Sequence, residues 1–228
     1  MSPFVTVLWA SAGTSNPVVE ATNTYAAGDT YQSFPVNLPA SIASGDLLLL
    51  FANTPQAWDG TPELPSGWTA LFEYDYPGET SENKCVGYYR VADGAEGSTV
   101  TVALKDSEWS VLTANTYRIS NYQGTPEVSP VASGTSASPN PGSITASWAP
   151  QHTLFIAVAL SSAGNGISYP TNYSGGITAY TGAYNEYNTR TSSATRTLEN
   201  NTEDPGVFDI VQGQPWVAVT VAVRGAAA

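Results

Sequence analysis

Charge is scarce in this chain. Asp, Glu, Lys and Arg make up 11% of its 228 residues, less than half the ~25% of an average globular domain. Basic residues are the scarcest: seven Lys and Arg face nineteen Asp and Glu, for a net charge of −12. Nucleic-acid binding rests on Lys and Arg neutralising phosphates, so nucleic acid is excluded as a partner. Attraction to anionic lipid is excluded on the same ground. No stretch approaches the roughly 18 consecutive apolar residues of a spanning helix, and no membrane partner is expected. The single cysteine, Cys85, excludes an internal disulfide framework. It sits in an apolar, strand-like run and reads as a buried, inert thiol. The single histidine, His152, would have to serve any Ser-His-Asp or Cys-His arrangement. It lies in Pro150-Gln151-His152-Thr153 and reads as a solvated turn residue. One His and one Cys are too few for the usual transition-metal ligand sets. Phosphate-binding loops, dinucleotide Gly motifs and GxSxG elbows are also missing. The expectation is a non-enzymatic protein with no cofactor and no metal.

What the chain does have is aromatic mass. Thirteen Tyr, six Trp and six Phe can each bury ~150–250 Å², enough with the Val and Leu runs to build a core. At the start, Phe4 to Ala10 is apolar and Ala10-Ser11-Ala12 has the form of a cleavage site. No Lys or Arg precedes it, however, and Phe4-Val5-Thr6-Val7-Leu8 alternates like a strand. The segment reads as mature structure, in a protein folded in a cytoplasm.

The chain also matches itself at a period of about 107 residues. Asp46 to Phe51 aligns with Thr153 to Val158. Pro65-Ser66-Gly67-Trp68 aligns with Pro170-Thr171-Asn172-Tyr173, Trp109 with Trp216, and, after one gap, Arg118 with Arg224. Each half carries one succession of strand signals. In the first these are Leu47 to Phe51, Trp68 to Tyr76, Cys85 to Val91, Thr99 to Leu104 and Ser110 to Ser120. In the second they are Ser143 to Trp148, Thr153 to Ser161, Ser174 to Thr181, Arg190 to Leu198, Gly206 to Val211 and Trp216 to Arg224. Leu47 to Phe51 is continuously apolar, as suits a strand buried on both faces. Val217, Val219, Val221 and Val223 alternate with smaller residues, as suits period two. Clusters of Gly, Pro, Asn, Asp and Ser separate the strands, and no 3.6-residue period persists. The expected fold is all-β: a two-layer antiparallel β-sandwich, jelly-roll-like, with its halves related by a pseudo-twofold axis. Residues 1–33 form an N-terminal strand or arm, either an edge strand of the sheet or a reach to a neighbouring subunit. Residues 34–228 form a single sandwich of two related halves, 34–124 and 140–225. The alternative is two successive small sandwiches divided near Gly124 to Gly142.

Tyr offers a stacking face and a polar tip and is favoured at interfaces. The cluster Tyr169, Tyr173, Tyr180, Tyr184 and Tyr187 is therefore the candidate contact surface, together with Trp58 in the loop Pro55 to Gly60. The repeating Trp68, Trp109 and Trp216 suit core duty. Paired carboxylates would be needed for glycan hydrolysis. Glu73, Asp75, Glu79 and Glu82 form one acidic cluster and Glu199, Glu203 and Asp204 another, at matching places in the halves. Both read as polar loops that keep the protein soluble. Calcium is the next reading of these acids, but the spacing of a calcium loop is lacking.

Four segments carry a resemblance: Ser44-Gly45-Asp46-Leu47-Leu48-Leu49, Pro65-Ser66-Gly67-Trp68-Thr69, Gly87-Tyr88-Tyr89-Arg90-Val91-Ala92 and Thr116-Tyr117-Arg118-Ile119. Their succession resembles a family of β-sandwich domains in bacteriophage virion proteins, found in head decoration or cement proteins and in fibres. Trp216 to Arg224 fits the closing strand seen there, and the resemblance spans residues 34–225. It implies no catalytic residues. It implies a capsid decoration protein on the virion surface, assembled in the host bacterial cytoplasm, with the major capsid protein and itself, as dimer or trimer, for partners. The alternative it leaves open is a receptor- or glycan-binding module of a tail or head fibre, with a cell-surface glycan as partner.

Overall fold

The computed structural model describes residues 15–55, 61–76, 83–105, 110–162, 166–182 and 188–227, without the side chains of 28–31. The first half contributes β1 (Val18–Tyr31), β2 (Ser33–Asn37), β3 (Leu47–Pro55), β4 (Thr69–Asp75), β5 (Asn83–Val91), β6 (Thr99–Ala103) and β7 (Ser110–Ser120). The connection between halves adds β8 (Glu127–Val128) and β9 (Ala132–Gly134). The second half contributes β10 (Ile144–Thr145), β11 (His152–Ser161), β12 (Ile167–Ser168), β13 (Ser174–Tyr180), β14 (Arg190–Glu199), β15 (Thr202–Glu203), β16 (Asp209–Ile210) and β17 (Trp216–Arg224). No α-helix occurs among the described residues. β3 to β7, β11, β13, β14 and β17 fall where the sequence runs predict them, because period-two alternation leaves each residue a defined face; β1, the longest strand, lies outside those runs.

Two antiparallel sheets carry the fold. The first has the order β1-β7-β3-β5-β4; the second has β13-β14-β11-β17-β8, with β9 also beside β17. They stack face to face through Leu47, Leu49, Phe51, Tyr117 and Ile119 on one side and Leu154, Ile156, Val158, Leu160 and alternate valines of β17 on the other. The outer faces are covered too. Leu48, Leu50 and Ala52 pack under the β2–β6 pair, against Phe34, Val36, Val102 and Leu104. Phe155, Ala157, Ala159 and Ala222 pack under Ile144, Trp148 and Phe208, from the layer of β10–β15 and β12–β16. The molecule is thus an all-β sandwich with a thin flanking layer on each side, four layers where the sequence pattern suggests two. This is why all nine residues of β3 are buried. At ~1.5–3 kcal/mol for each fully buried Leu or Phe, its five apolar residues from Leu47 to Phe51 make it a central contributor to both cores.

The sheets are not interleaved as in a jelly roll. Each large sheet draws its main strands from one half; the first half has one core beneath its flanking pair, and the second has three smaller clusters. The core shared between the sheets joins the halves. Exchanging β1 with β8, β3 with β11, β4 with β13, β5 with β14 and β7 with β17 converts one strand order into the other. The facing pairs follow: β3 lies over β11, β5 over β17 as β14 over β7, and β4 over β8 as β13 over β1. Local geometry repeats as well. Trp68 N–H donates to Pro65 O at 3.1 Å and Tyr173 N–H to Pro170 O at 3.2 Å. In these turns Gly67 has φ +79° and Asn172 φ +68°, the left-handed region that Gly and Asn tolerate best.

Residues 18–31 of the N-terminal segment form the edge strand of the first sheet, paired with β7 from Val18↔Ser120 to Tyr31↔Ser110. The strand-like run Phe4 to Ala10 lies outside the described residues.

Candidate contact surface

The sandwich has two poles of different chemistry. At one, the seam between sheets turns polar. Asn53 on β3, fully buried, donates from Nδ2 to Ser161 O (3.1 Å) and Arg190 O (3.2 Å), and its Oδ1 accepts from Cys85 Sγ (3.4 Å). Thr113 Oγ1 lies 3.0 Å from Thr191 Oγ1, and Asn115 Nδ2 donates to Ser193 Oγ at 2.9 Å. The Tyr117 hydroxyl lies 2.6 Å from the same Ser193 Oγ. Strand pairing explains the convergence: inward residues of β3 and β7 meet inward residues of β14 where the aliphatic run ends. Burial, and then the Asp75 charge, hold the Cys85 thiol well above its ordinary pKa, which suppresses the nucleophilic thiolate. This matches the buried, inert thiol expected from its sequence setting.

The opposite pole gathers the four segments that carry the family resemblance. Asp46 Oδ2 accepts from Ala43 N–H (2.8 Å) and from Arg118 Nη1 (3.3 Å). Ala92 N–H donates to Asp46 O and Gly45 N–H to Ala92 O. Arg90 pairs with Asp93 (2.8 Å) and Glu96 (3.1 Å), and a Cβ on Gly67 would come within 3.1 Å of its Nη1. Trp68, 7% exposed, plugs the core of the first half. Both ends of the described chain lie at this pole, where Ser15 N–H donates to Ala226 O at 2.9 Å.

The tyrosine cluster divides. Tyr184 and Tyr187 lie outside the described residues, as does Trp58. Tyr169, Tyr173 and Tyr180 are all half-buried on the outer side of the second sheet. Tyr169 packs edge-on against Phe208 (ring centroids 6.1 Å apart) and its hydroxyl lies 2.9 Å from Thr178 Oγ1. Its ring fits because residue 176 is Gly: a Cβ there would stand 2.3 Å from the ring. Tyr173 donates to Glu203 Oε1 at 3.3 Å. Burial, and then the Glu203 carboxylate, push its phenol pKa far above the usual value. Tyr180 donates to Asn188 Oδ1 at 3.4 Å and its ring lies under the Arg190 guanidinium, 4.9 Å from centroid to Cζ. The structure brings Tyr169 and Tyr180 to neighbouring positions of one face and sets Tyr173 nearer the other pole.

The acidic clusters resolve into pairs with bases. Asp75 holds Lys84 at 2.8 Å and Glu203 holds Arg196 at 2.9 Å, while Glu73 accepts from the Tyr88 hydroxyl at 3.4 Å. Glu199 and Asp204 are exposed, and Glu79 and Glu82 lie outside the described residues. His152 is the half-buried first residue of β11, its carbonyl accepting from Gly225 N–H. A shallow groove of about 460 Å³ runs between Asn23, Asn37, Ser41, Glu96 and Ser98. Its amides are largely engaged, with Asn23 donating to Leu38 O and Asn37 to Thr24 O.

Sequence reasoning missed Arg190, which is 2% exposed. Period two places Arg190, Ser192, Ala194 and Arg196 on one face of β14, but the sequence has no signal for which arginine finds an acid. Comparison with family models, characterised proteins and solved structures finds no match to this chain.

Proposed function

We propose that the protein is a non-enzymatic structural component of a bacteriophage virion: a capsid decoration protein that bridges capsomers and stabilises the head. One observation carries this reading. Residues of three of the four resembling segments, far apart in sequence, bond to one another at a single pole through Asp46–Arg118 and the Gly45–Ala92–Asp46 backbone bonds, and Thr69 of the fourth pairs with Tyr89 across β4 and β5. That is how motifs behave when they fasten a structure rather than carry a reaction. The described ends of the chain meet at this same pole. Binding only the assembled shell stabilises it by linkage, and many copies on a symmetric lattice make modest affinities add up. A dimer or trimer at a symmetry axis is the natural oligomer. The same reading takes the halves as products of an internal duplication of about 107 residues. The exchangeable strand order and the paired Pro65–Trp68 and Pro170–Tyr173 turns support it.

The test is to add purified protein to expanded heads that lack it. Co-sedimentation and greater resistance to heat or low salt are expected, and unchanged head stability refutes the role. A receptor- or glycan-binding fibre module is the second reading, favoured by the half-buried Tyr169 and Tyr180 beside Arg190. Finding the protein on isolated tails rather than heads would select it.

A further inference from the structure

We propose that Arg190 anchors a subsite for a carboxylate-bearing sugar on the outer face of β13 and β14. The inference stands apart from the capsid reading, since a head protein and a fibre module could each carry such a site. It begins with charge pairing. Arg90, Arg118, Arg196 and Lys84 each hold a carboxylate within 4.0 Å. Arg190, the most buried arginine, holds none among the described residues, as is also true of the less buried Arg224 and Lys105, in a chain with nineteen acids. Its Nη1 donates to Gly166 O at 2.7 Å, its guanidinium lies over the Tyr180 ring, and its Nε, like those of Arg118 and Arg224, has no partner among the described residues. Burying a cation without a counter-ion is costly even after relaxation. A neutral carbonyl and an aromatic face offset only part of that.

The surroundings suit an incoming anion. From Val128 to Asn185 the chain contains no Asp, Glu, Lys or Arg. The neighbours of Arg190 on this face, Ser161, Gly166, Tyr169 and Tyr180, all come from that segment. A protein of net charge −12 repels anions at long range, yet among the described residues no acid pairs with Arg190. Gly166 is exposed, so an anion arriving there can take over Nη1 and replace a neutral acceptor with a charged one, a stronger hydrogen bond. Alongside runs a line of hydroxyls: Tyr169 Oη to Thr178 Oγ1 at 2.9 Å, and Thr178 Oγ1 to Ser192 Oγ at 3.0 Å. Thr178 and Ser192 pair across the strands two residues from the Tyr180–Arg190 pair, on the same face. A guanidinium beside a row of hydroxyls matches a carboxylate beside sugar hydroxyls, as in a uronic or sialic acid.

The full-length protein would be titrated by calorimetry with sodium glucuronate, with glucose, and with sodium sulfate. Saturable glucuronate binding is expected, at least ten-fold tighter than glucose or sulfate. Arg190→Met should abolish it. Arg190→Lys, which keeps the charge but loses the planar fork, should weaken it several-fold with native circular dichroism, and it decides the matter if the Met variant does not fold. Absence of glucuronate binding, equal binding by the folded variants, or sulfate binding as tightly as glucuronate would each overturn the proposal.

Discussion

Asn53 is the sharpest test of how the halves are joined. It belongs to the first half, yet its amide spans the seam to two carbonyls of the second, Ser161 O at 3.1 Å and Arg190 O at 3.2 Å, while accepting from Cys85. Asn53→Ala removes these bonds and leaves a void at a fully buried position. Each lost bond is worth about 1 kcal/mol. With the unfilled space, the expected loss is roughly 2–4 kcal/mol, or about 4–16 °C in Tm for a domain of this size. The exposed Thr145→Ala should cost less than about 0.5 kcal/mol. Guanidinium unfolding can be followed through Trp68 in the first half and Trp148 and Trp216 in the second. If the seam couples the halves, circular dichroism and fluorescence midpoints fall together. A loss under about 0.5 kcal/mol, or a shift confined to one probe, would refute the reasoning.

Two further outcomes follow from burial. Tyr117 and Tyr88 have phenol pKa values raised first by desolvation, and Tyr88 also by Glu73; Cys85 is raised in the same sense. The unfolded chain ionises these groups near their ordinary values of about 8.5 and 10 while the folded chain keeps them neutral. Stability is therefore full below about pH 8 and declines as pH rises. Denaturant midpoints at pH 7, 9 and 10.5 should fall in that order, with a shallower fall above pH 9.5 in Tyr117→Phe; a flat profile contradicts the assignment. Gly87 lies on β5 where an added Cβ would stand 2.3 Å from the buried Phe72 ring. Gly87→Ala should cost about 1–3 kcal/mol by overpacking, measured as a lower denaturant midpoint, and a neutral result would mean that the ring can move aside.

The contact surface was only partly legible beforehand. Tyr169 and Tyr180 stand out in sequence because clustered tyrosines between turns are conspicuous, and both lie half-buried on one face. Tyr173 belongs to the same run of sequence but is committed to Glu203, because the Pro170 turn points it toward the other pole. The acidic clusters looked like candidate sites, since sequence proximity concentrates carboxylates without revealing that Lys84 and Arg196 arrive from neighbouring strands to pair with them. Arg190 was invisible for the converse reason: that no described acid pairs with it is a fact about three-dimensional neighbours.

Local periodicity was enough to assign the long strands, from the unbroken Leu47–Phe51 run to the alternating valines of β17, because strand geometry ties side-chain direction to position along the chain. The paired turns at Pro65–Trp68 and Pro170–Tyr173 were legible too, as turn residues and aromatics recurring along the sequence. Which surfaces those strands would bury was decided only by packing. Two short flanking pairs turned an expected two-layer sandwich into four layers, and each half kept its own sheet instead of sharing strands as in a jelly roll. A strand's pattern specifies that a face must be covered; what covers it depends on residues brought from elsewhere in the chain, as Val102 and Leu104 are brought over Leu48 and Leu50.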